Sequence, residues 1–149
     1  MKLFIASDHA GFALKQLIIA HLHVNFPQFT TIDLGTNDGE TSVDYPDYGF
    51  KLATETVANN AFGIAICGSG IGISIAANRT LGVRCALCTS PLMAQLAREH
   101  NNANILAMGQ RIISENDALS CVDTFLTTDF SATTDQANNR HIMRIAKLG

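Results

Sequence analysis

Residues 62–78 pass from an apolar run, Phe62-Gly63-Ile64-Ala65-Ile66-Cys67, through Gly68-Ser69-Gly70-Ile71-Gly72 into Ile73-Ser74-Ile75-Ala76-Ala77-Asn78. The first segment has the length and character of a buried parallel strand. In the last, Ile73, Ala76 and Ala77 recur at helical spacing. Three glycines alternating with Ser69 and Ile71 suit a tight strand-to-helix turn between them. Such a turn lifts backbone N–H groups to the mouth of a sheet, at the positive end of a helix. It makes a pocket for an anion, either a phosphate or a developing enolate oxygen. Cys67 stands at its edge, where a thiol can serve as nucleophile or proton carrier.

The same alternation of strand and helix extends along the chain. Leu3 to Ala6 predict a first strand, ending in Ser7-Asp8-His9-Ala10-Gly11, and a helix follows with Leu14, Leu17, Ile18 and Leu22 on one face. Lys15, His21 and His23 fall mostly outside that stripe, and the two histidines are expected in solvent. Thr30 to Leu34 predict a second strand, before a polar loop, Gly35-Thr36-Asn37-Asp38-Gly39. A helix from Asp44-Tyr45-Pro46 to about Asn59 precedes the glycine turn. Val83 to Cys88 predict a fourth strand, Pro91 opens the helix Leu92 to Glu99, and Asn104 to Met108 predict a fifth strand. Glu115 to Leu126 and Gln136 to Lys147 read as closing helices. Regular alternation of this kind gives a single α/β domain over residues 1–149: a three-layer α/β/α, Rossmann-like (flavodoxin-like) sandwich. Its five-stranded parallel sheet is expected in the order 2-1-3-4-5, with a C-terminal helix. In that order strands 1 and 3 flank the topological switch point, which sets Asp8 and His9 beside the 67–72 turn.

Composition narrows the function. A net charge of -3 provides no electrostatic footprint for nucleic acid. No apolar run approaches the roughly 20 residues of a membrane span, and Met1-Lys2-Leu3-Phe4-Ile5 enters a strand rather than a signal peptide, so a cytoplasmic location is expected. With only 15% charged residues, part of the surface is expected to be covered by another subunit. The four cysteines, Cys67, Cys85, Cys88 and Cys121, are then reduced thiols. Cys85 and Cys88 form a C-x-x-C inside a strand, where residues three apart face opposite ways, so their sulfurs should not meet.

The turn is neither a dinucleotide fingerprint, lacking the G-x-G-x-x-G spacing, nor a Walker loop, lacking Gly-Lys-Ser/Thr. Asp8 can cap the first helix and still face the crevice. Tyr45 can stack on a ligand or staple a helix start. His100 ends a helix and precedes the fifth strand, which puts it at the rim opposite the crevice. If catalytic, it must serve a neighbouring subunit. Arg140, His141 and Arg144 share one face of the last helix, and with Arg111 they could clamp a phosphate.

Together these segments resemble the type B ribose-5-phosphate isomerases, within the wider sugar-phosphate isomerases that include galactose-6-phosphate isomerase subunits. The matching stretches are Ser7-Asp8-His9-Ala10-Gly11, Asp44-Tyr45-Pro46, Cys67 to Ser74 with Ala76-Ala77-Asn78-Arg79, Glu99-His100-Asn101-Asn102, and Arg140-His141 with Arg144. The resemblance implies a metal-free, cofactor-free aldose-ketose isomerase of the non-oxidative pentose phosphate pathway, converting ribose 5-phosphate and ribulose 5-phosphate through an enediolate. It further implies a homodimer or tetramer whose sites are shared between subunits. By resemblance Cys67 is the base, with Ser69, Asp8 and His100 as its catalytic partners. Tyr45, Gly68, Gly70, Ile71, Gly72 and Asn101 would contact substrate, and His9, Arg111, Arg140, His141 and Arg144 would hold the phosphate. Many cysteine-type members carry threonine at the position of Ser69; a hydroxyl is kept. A hexose-phosphate isomerase acting on allose 6-phosphate or galactose 6-phosphate needs identical chemistry, and a phosphosugar sensor needs only the anion pocket.

Overall fold

Successive side chains of a strand point to opposite faces, so the continuous apolar runs at 3–6, 64–67 and 105–108 each supply two separate cores. The structure, a computed structural model, describes residues 1–131 and 139–148. In chain order it contains β1 (Lys2–Ser7), a 3₁₀ turn (His9–Gly11), α1 (Phe12–Asn25), β2 (Thr30–Asp33), α2 (Tyr45–Ala58) and β3 (Phe62–Cys67). There follow α3 (Ile71–Ala77), β4 (Cys85–Leu87), α4 (Pro91–Asn101), β5 (Ile105–Gly109), α5 (Glu115–Thr127) and α6 (Asn139–Ile145). The start expected for the last helix, Gln136 to Asn138, lies outside the described residues.

Leu3, Ile5, Ile64, Ile66, Leu106 and Met108 point into one layer, against Ile18 and Leu22 of α1, Ala94 and Ala97 of α4, and Val122 and Phe125 of α5. Phe4, Ala6, Ala65, Cys67, Ile105 and Ala107 point into the other, against Leu52 and Ala53 of α2 and Ile73 and Ala77 of α3. This is the expected three-layer α/β/α sandwich. Cys88 belongs to the first layer and Cys85 borders the second. The C-x-x-C sulfurs thus face opposite sides of the sheet, and all four cysteines are free thiols.

All strand pairs are parallel, in the order β2-β1-β3-β5-β4. The expected order 2-1-3-4-5 is corrected at its last two strands. The physical reason lies in the strands themselves. Ile105-Leu106-Ala107-Met108-Gly109 is buried at every position, as a strand covered on both faces must be, whereas the three residues of β4 are only half-buried. The longer apolar strand takes the centre and the short one takes the edge. This exchange pairs Cys67 with Gly109 and brings Arg111 to the turn after β3.

Two side chains of α1 depart from expectation. Lys15 is fully buried; its Nζ donates to both carboxylate oxygens of Asp33 and to the Thr36 carbonyl, each at 2.6 Å. His21, expected in solvent, packs against Phe26 and pairs with Asp123 at 2.6 Å. In both cases the partner lies on a different element, out of reach of a helical-wheel argument. Asp33 is about a third exposed while Lys15 is closed off from water. Replacing Asp33 by Asn strands a buried ammonium, and we expect a loss of about 2–3 kcal/mol in chemical denaturation. A loss under about 0.5 kcal/mol would show that the pair does not anchor α1 to the sheet.

Candidate active site

The carboxyl ends of β1, β3 and β5 meet at a cleft of about 310 Å³. Asp8, His9, Tyr45, Cys67, Ser69 and Arg111 line it, with the backbone of Gly68 and Gly72. It forms where it does because the turn after β3 can approach its neighbours without side chains. A Cβ on Gly109 would lie 2.3 Å from the Ser69 carbonyl carbon, and one on Gly11 would lie 2.9 Å from that of Ile66. Gly70 adopts φ +77° and sits against Leu87 and the Met108 backbone, a conformation and a space open to glycine alone.

Each cleft residue has a local cause. Asp8 is buried and caps the 3₁₀ turn, its Oδ1 accepting from the Gly11 N–H at 3.0 Å, while still facing the cleft. Both roles considered for it are therefore met by one side chain. His9 Nδ1 accepts from the Val43 N–H at 3.2 Å, which leaves Nε2 to carry the proton of a neutral ring. The amide of Val43, in the loop before α2, thus orients His9. The Tyr45 ring lies over Gly72, where a Cβ would meet it at 2.6 Å. Arg111 extends over Gly68, and its own N–H donates to the Gly68 carbonyl at 2.9 Å. Its neighbour Gln110 accepts from the Leu14 N–H and so ties the start of α1 to the end of β5.

Cys67 ends β3 with its sulfur at the base of the turn. The Gly70 N–H donates to Sγ at 3.1 Å, a contact that strengthens when sulfur carries negative charge. The Ile71 N–H donates to Ser69 Oγ at 3.2 Å. Two of the turn's amides are therefore engaged within the chain, whereas Gly72, in the first turn of α3, keeps an N–H with no carbonyl partner in its helix. Gly70 lies beneath the turn and Ile71 points to solvent, so neither side of this expected pair lines the cleft.

The other predicted residues gather elsewhere. His100, at the last turn of α4, stacks on His141 of α6 with ring centroids 4.6 Å apart and planes within 3°. Asn101 follows His100, and Arg140 and Arg144 flank His141 on α6. The His141 ring is held below the usual histidine range, first by burial and then by His100, Arg140 and Arg144. This group lies at the amino end of β5, and Arg111 at its carboxyl end; the strand between them spans roughly 13 Å. The four-residue clamp of Arg111, Arg140, His141 and Arg144 is not assembled within one chain. Ala10, quoted above only as part of a matching stretch, and Ile112, which carried no signal in the sequence, also line the cleft as ordinary apolar residues beside the chemical ones.

Among the described residues no group of histidine, cysteine and carboxylate side chains is arranged to hold a metal ion, and no helix is long and apolar enough to cross a membrane. Burial pushes the thiols of Cys88 up to about 12 and Cys121 up to about 11, and raises that of Cys85 as well. Cys67 lines the cleft, with the Gly70 N–H on its sulfur, and we expect iodoacetamide at neutral pH to alkylate it first, as read by peptide mass spectrometry. Earlier labelling of any other cysteine would contradict this ordering of thiol environments.

A family model described as Ribose/Galactose Isomerase matches residues 3–148. The ribose-5-phosphate isomerase B of Mycolicibacterium paratuberculosis is 48% identical over 132 residues, covering 88% of this chain and 82% of that protein. The solved Clostridium thermocellum ribose-5-phosphate isomerase B superposes with a TM-score of 0.91 at 45% identity, covering 100% of this chain and 95% of that one. The Mycoplasma genitalium ribose-5-phosphate isomerase B, solved with ribulose-5-phosphate bound, gives a TM-score of 0.89 at 40% identity, over 99% and 93% of the two chains.

Proposed function

This chain belongs to the ribose/galactose isomerase family, and we propose that it interconverts D-ribose 5-phosphate and D-ribulose 5-phosphate. The observation that carries the reading is the placement of Cys67 at the head of the glycine turn, in one cleft with Asp8, His9 and Arg111. In the open-chain aldose the Cys67 thiolate removes the C2 proton, and the electron pair moves to the C1 carbonyl to give an enediolate. Return of the proton to C1, as the O2 proton passes by way of the Ser69 hydroxyl to O1, completes the ketose. Ser69, whose hydroxyl lies at the cleft wall, relays protons at the substrate oxygens. The Gly72 amide, at the cleft and without a carbonyl partner in its helix, stabilises the charge on the enediolate. Tyr45 covers the sugar, and Arg111 with His9 Nε2 holds the phosphate.

Ring opening needs proton carriers near the ring oxygen and O1. Asp8 supplies one from the cleft, and His100 supplies the other from a second copy of the chain. Asn101, Arg140, His141 and Arg144 come with it, so the phosphate clamp closes across a homodimer or a tetramer built from such dimers. Support comes from the division of one residue set into two groups, and from the exposed Ile71 and Ile75 on α3 and Leu92, Met93 and Leu96 on α4. A phosphate between Arg140 and Arg144 also offsets the repulsion that holds the His141 proton off. The reaction fits a cytoplasmic step of the pentose phosphate pathway.

Purified protein should turn over ribose 5-phosphate far faster than allose 6-phosphate. Equal or better hexose turnover would reassign the substrate, and binding without turnover of either sugar would make the protein a sensor. Cys67→Ala should lower kcat by about 10³-fold or more while thermal unfolding stays near that of the parent. Activity within tenfold of the parent would remove Cys67 as the base. Mixing inactive Cys67→Ala with inactive His100→Ala chains should restore activity in the mixed dimers. If such dimers form and stay inactive, the site is not shared.

A further inference from the structure

A second cavity, of about 380 Å³, opens at the other end of the sheet. Its wall is made where β3, β4 and β5 begin: Phe62, Arg84 and Asn104, joined by Asn60, Arg98 and Asn102. The length of β3, roughly 17 Å at a normal strand rise, separates it from the cysteine cleft. Both charged side chains of the wall, Arg84 and Arg98, are cations, Met1 with its terminal ammonium lies beside them, and no carboxylate lines it.

The two arginines are fixed by contacts that leave part of each guanidinium unused. Arg98 is buried, with its guanidinium over the rings of Phe62 and Phe125 at 4.9 and 5.6 Å. Its Nε donates to the Thr128 carbonyl, and its Nη1 donates to Asn102 Oδ1 and the Ala103 carbonyl. Arg84 donates through Nε to the carbonyls of Asn101 and Asn102 and through Nη1 to that of Gly82. Among the described residues neither Nη2 donates a hydrogen bond, although each carries two protons. Burial disfavours the charge on both, and Arg84 adds to the burden on Arg98, which Asp129 relieves from outside the wall. Capping the end of α4 accounts for Nε and Nη1. It does not account for two cations sharing one open cavity with amides rather than carboxylates around them.

We propose that this cavity is a second anion site, which binds a small organic phosphate between Arg84 and Arg98. Two rigidly held guanidinium groups match the double charge and the planar donor geometry that a phosphate accepts. Asn60, Asn102 and Asn104 offer amide groups for the remaining oxygens or for hydroxyls on the carbon skeleton. The volume admits a phosphate with a few carbon atoms. The proposal does not depend on the chemistry at Cys67.

The test is a titration of the full chain with inorganic phosphate, read residue by residue from amide chemical shifts, with sodium chloride matched for ionic strength and with acetate as a carboxylate arm. Saturable shifts at Gly82, Arg84, Asn102 and Asn104, larger than those caused by chloride and acetate, are expected. Asn60→Asp, at an exposed position with φ 46° that aspartate tolerates, places a carboxylate at the wall without touching the arginine contacts. It should weaken phosphate at these amides about tenfold and leave the response of Gly68 to Gly72 unchanged. Arg84→Gln should weaken it at least as much. Shifts that follow ionic strength alone, an equal response to acetate, or unaltered binding by Asn60→Asp would each overturn the proposal.

Discussion

The cleft depends on how closely three stretches of backbone approach one another without side chains between them. Gly11 lies on Ile66, Gly70 lies on the Met108 backbone, and Gly109 lies on Ser69. Each approach leaves no room for even a methyl group against the facing backbone. The ends of β1, β3 and β5 are drawn together by these approaches, so that Asp8, Cys67 and Arg111, far apart in the chain, share one small volume. The polar contacts at the cleft are then local: a cap on Gly11, an amide on sulfur, an amide on a histidine nitrogen. Such contacts orient groups whose positions the close packing has already set.

Electrostatics divides the protein in a corresponding way. Cationic groups collect in three places: Arg111 at the cleft, Arg140 and Arg144 beside His141, and Arg84 with Arg98 under the sheet. None of these forms an ion pair among the described residues, whereas the buried Lys15 does. A lysine enclosed by protein needs a carboxylate to remain charged. Arginines left without one, at concave or helix-borne positions, are arranged for an anion that comes from outside. The same rule separates a structural cation from a binding one.

Much of the architecture was legible in the sequence because strand and helix alternate with clear periods, and element limits fall within two or three residues of expectation. The strand order was not fully legible. The flavodoxin-like order rested on the turn after strand 3 and the polar end of strand 1, both local features, while the placement of β4 and β5 follows from a comparison between them, of length and of burial. Of the site, Asp8, His9, Cys67, Ser69 and Arg111 were readable from residue type and position at strand ends, whereas Tyr45, at the start of a helix, entered only through the family resemblance. The roles of Val43 and Gly70 were not, because both act through backbone amides that every residue but proline carries. The burial of Lys15 and the pairing of His21 were hidden for a different reason: their partners lie 18 and 102 residues away.

The exchange of the last two strands also bears on the order in which the protein can be made. β1, β2 and β3 find one another as soon as residue 67 has been synthesised, since they are neighbours in the sheet. The far edge of β3 has no partner until Ile105–Gly109 exist, some forty residues later, and β4 cannot dock before β5 because β5 is its only neighbour among the described residues. A nascent chain that ends in this interval carries an open, apolar strand edge, the kind of surface that recruits other chains. Closing that edge is also what lays Gly109 under Ser69. The turn that holds the cysteine therefore reaches its working shape late, in the same event that removes the hazard of aggregation.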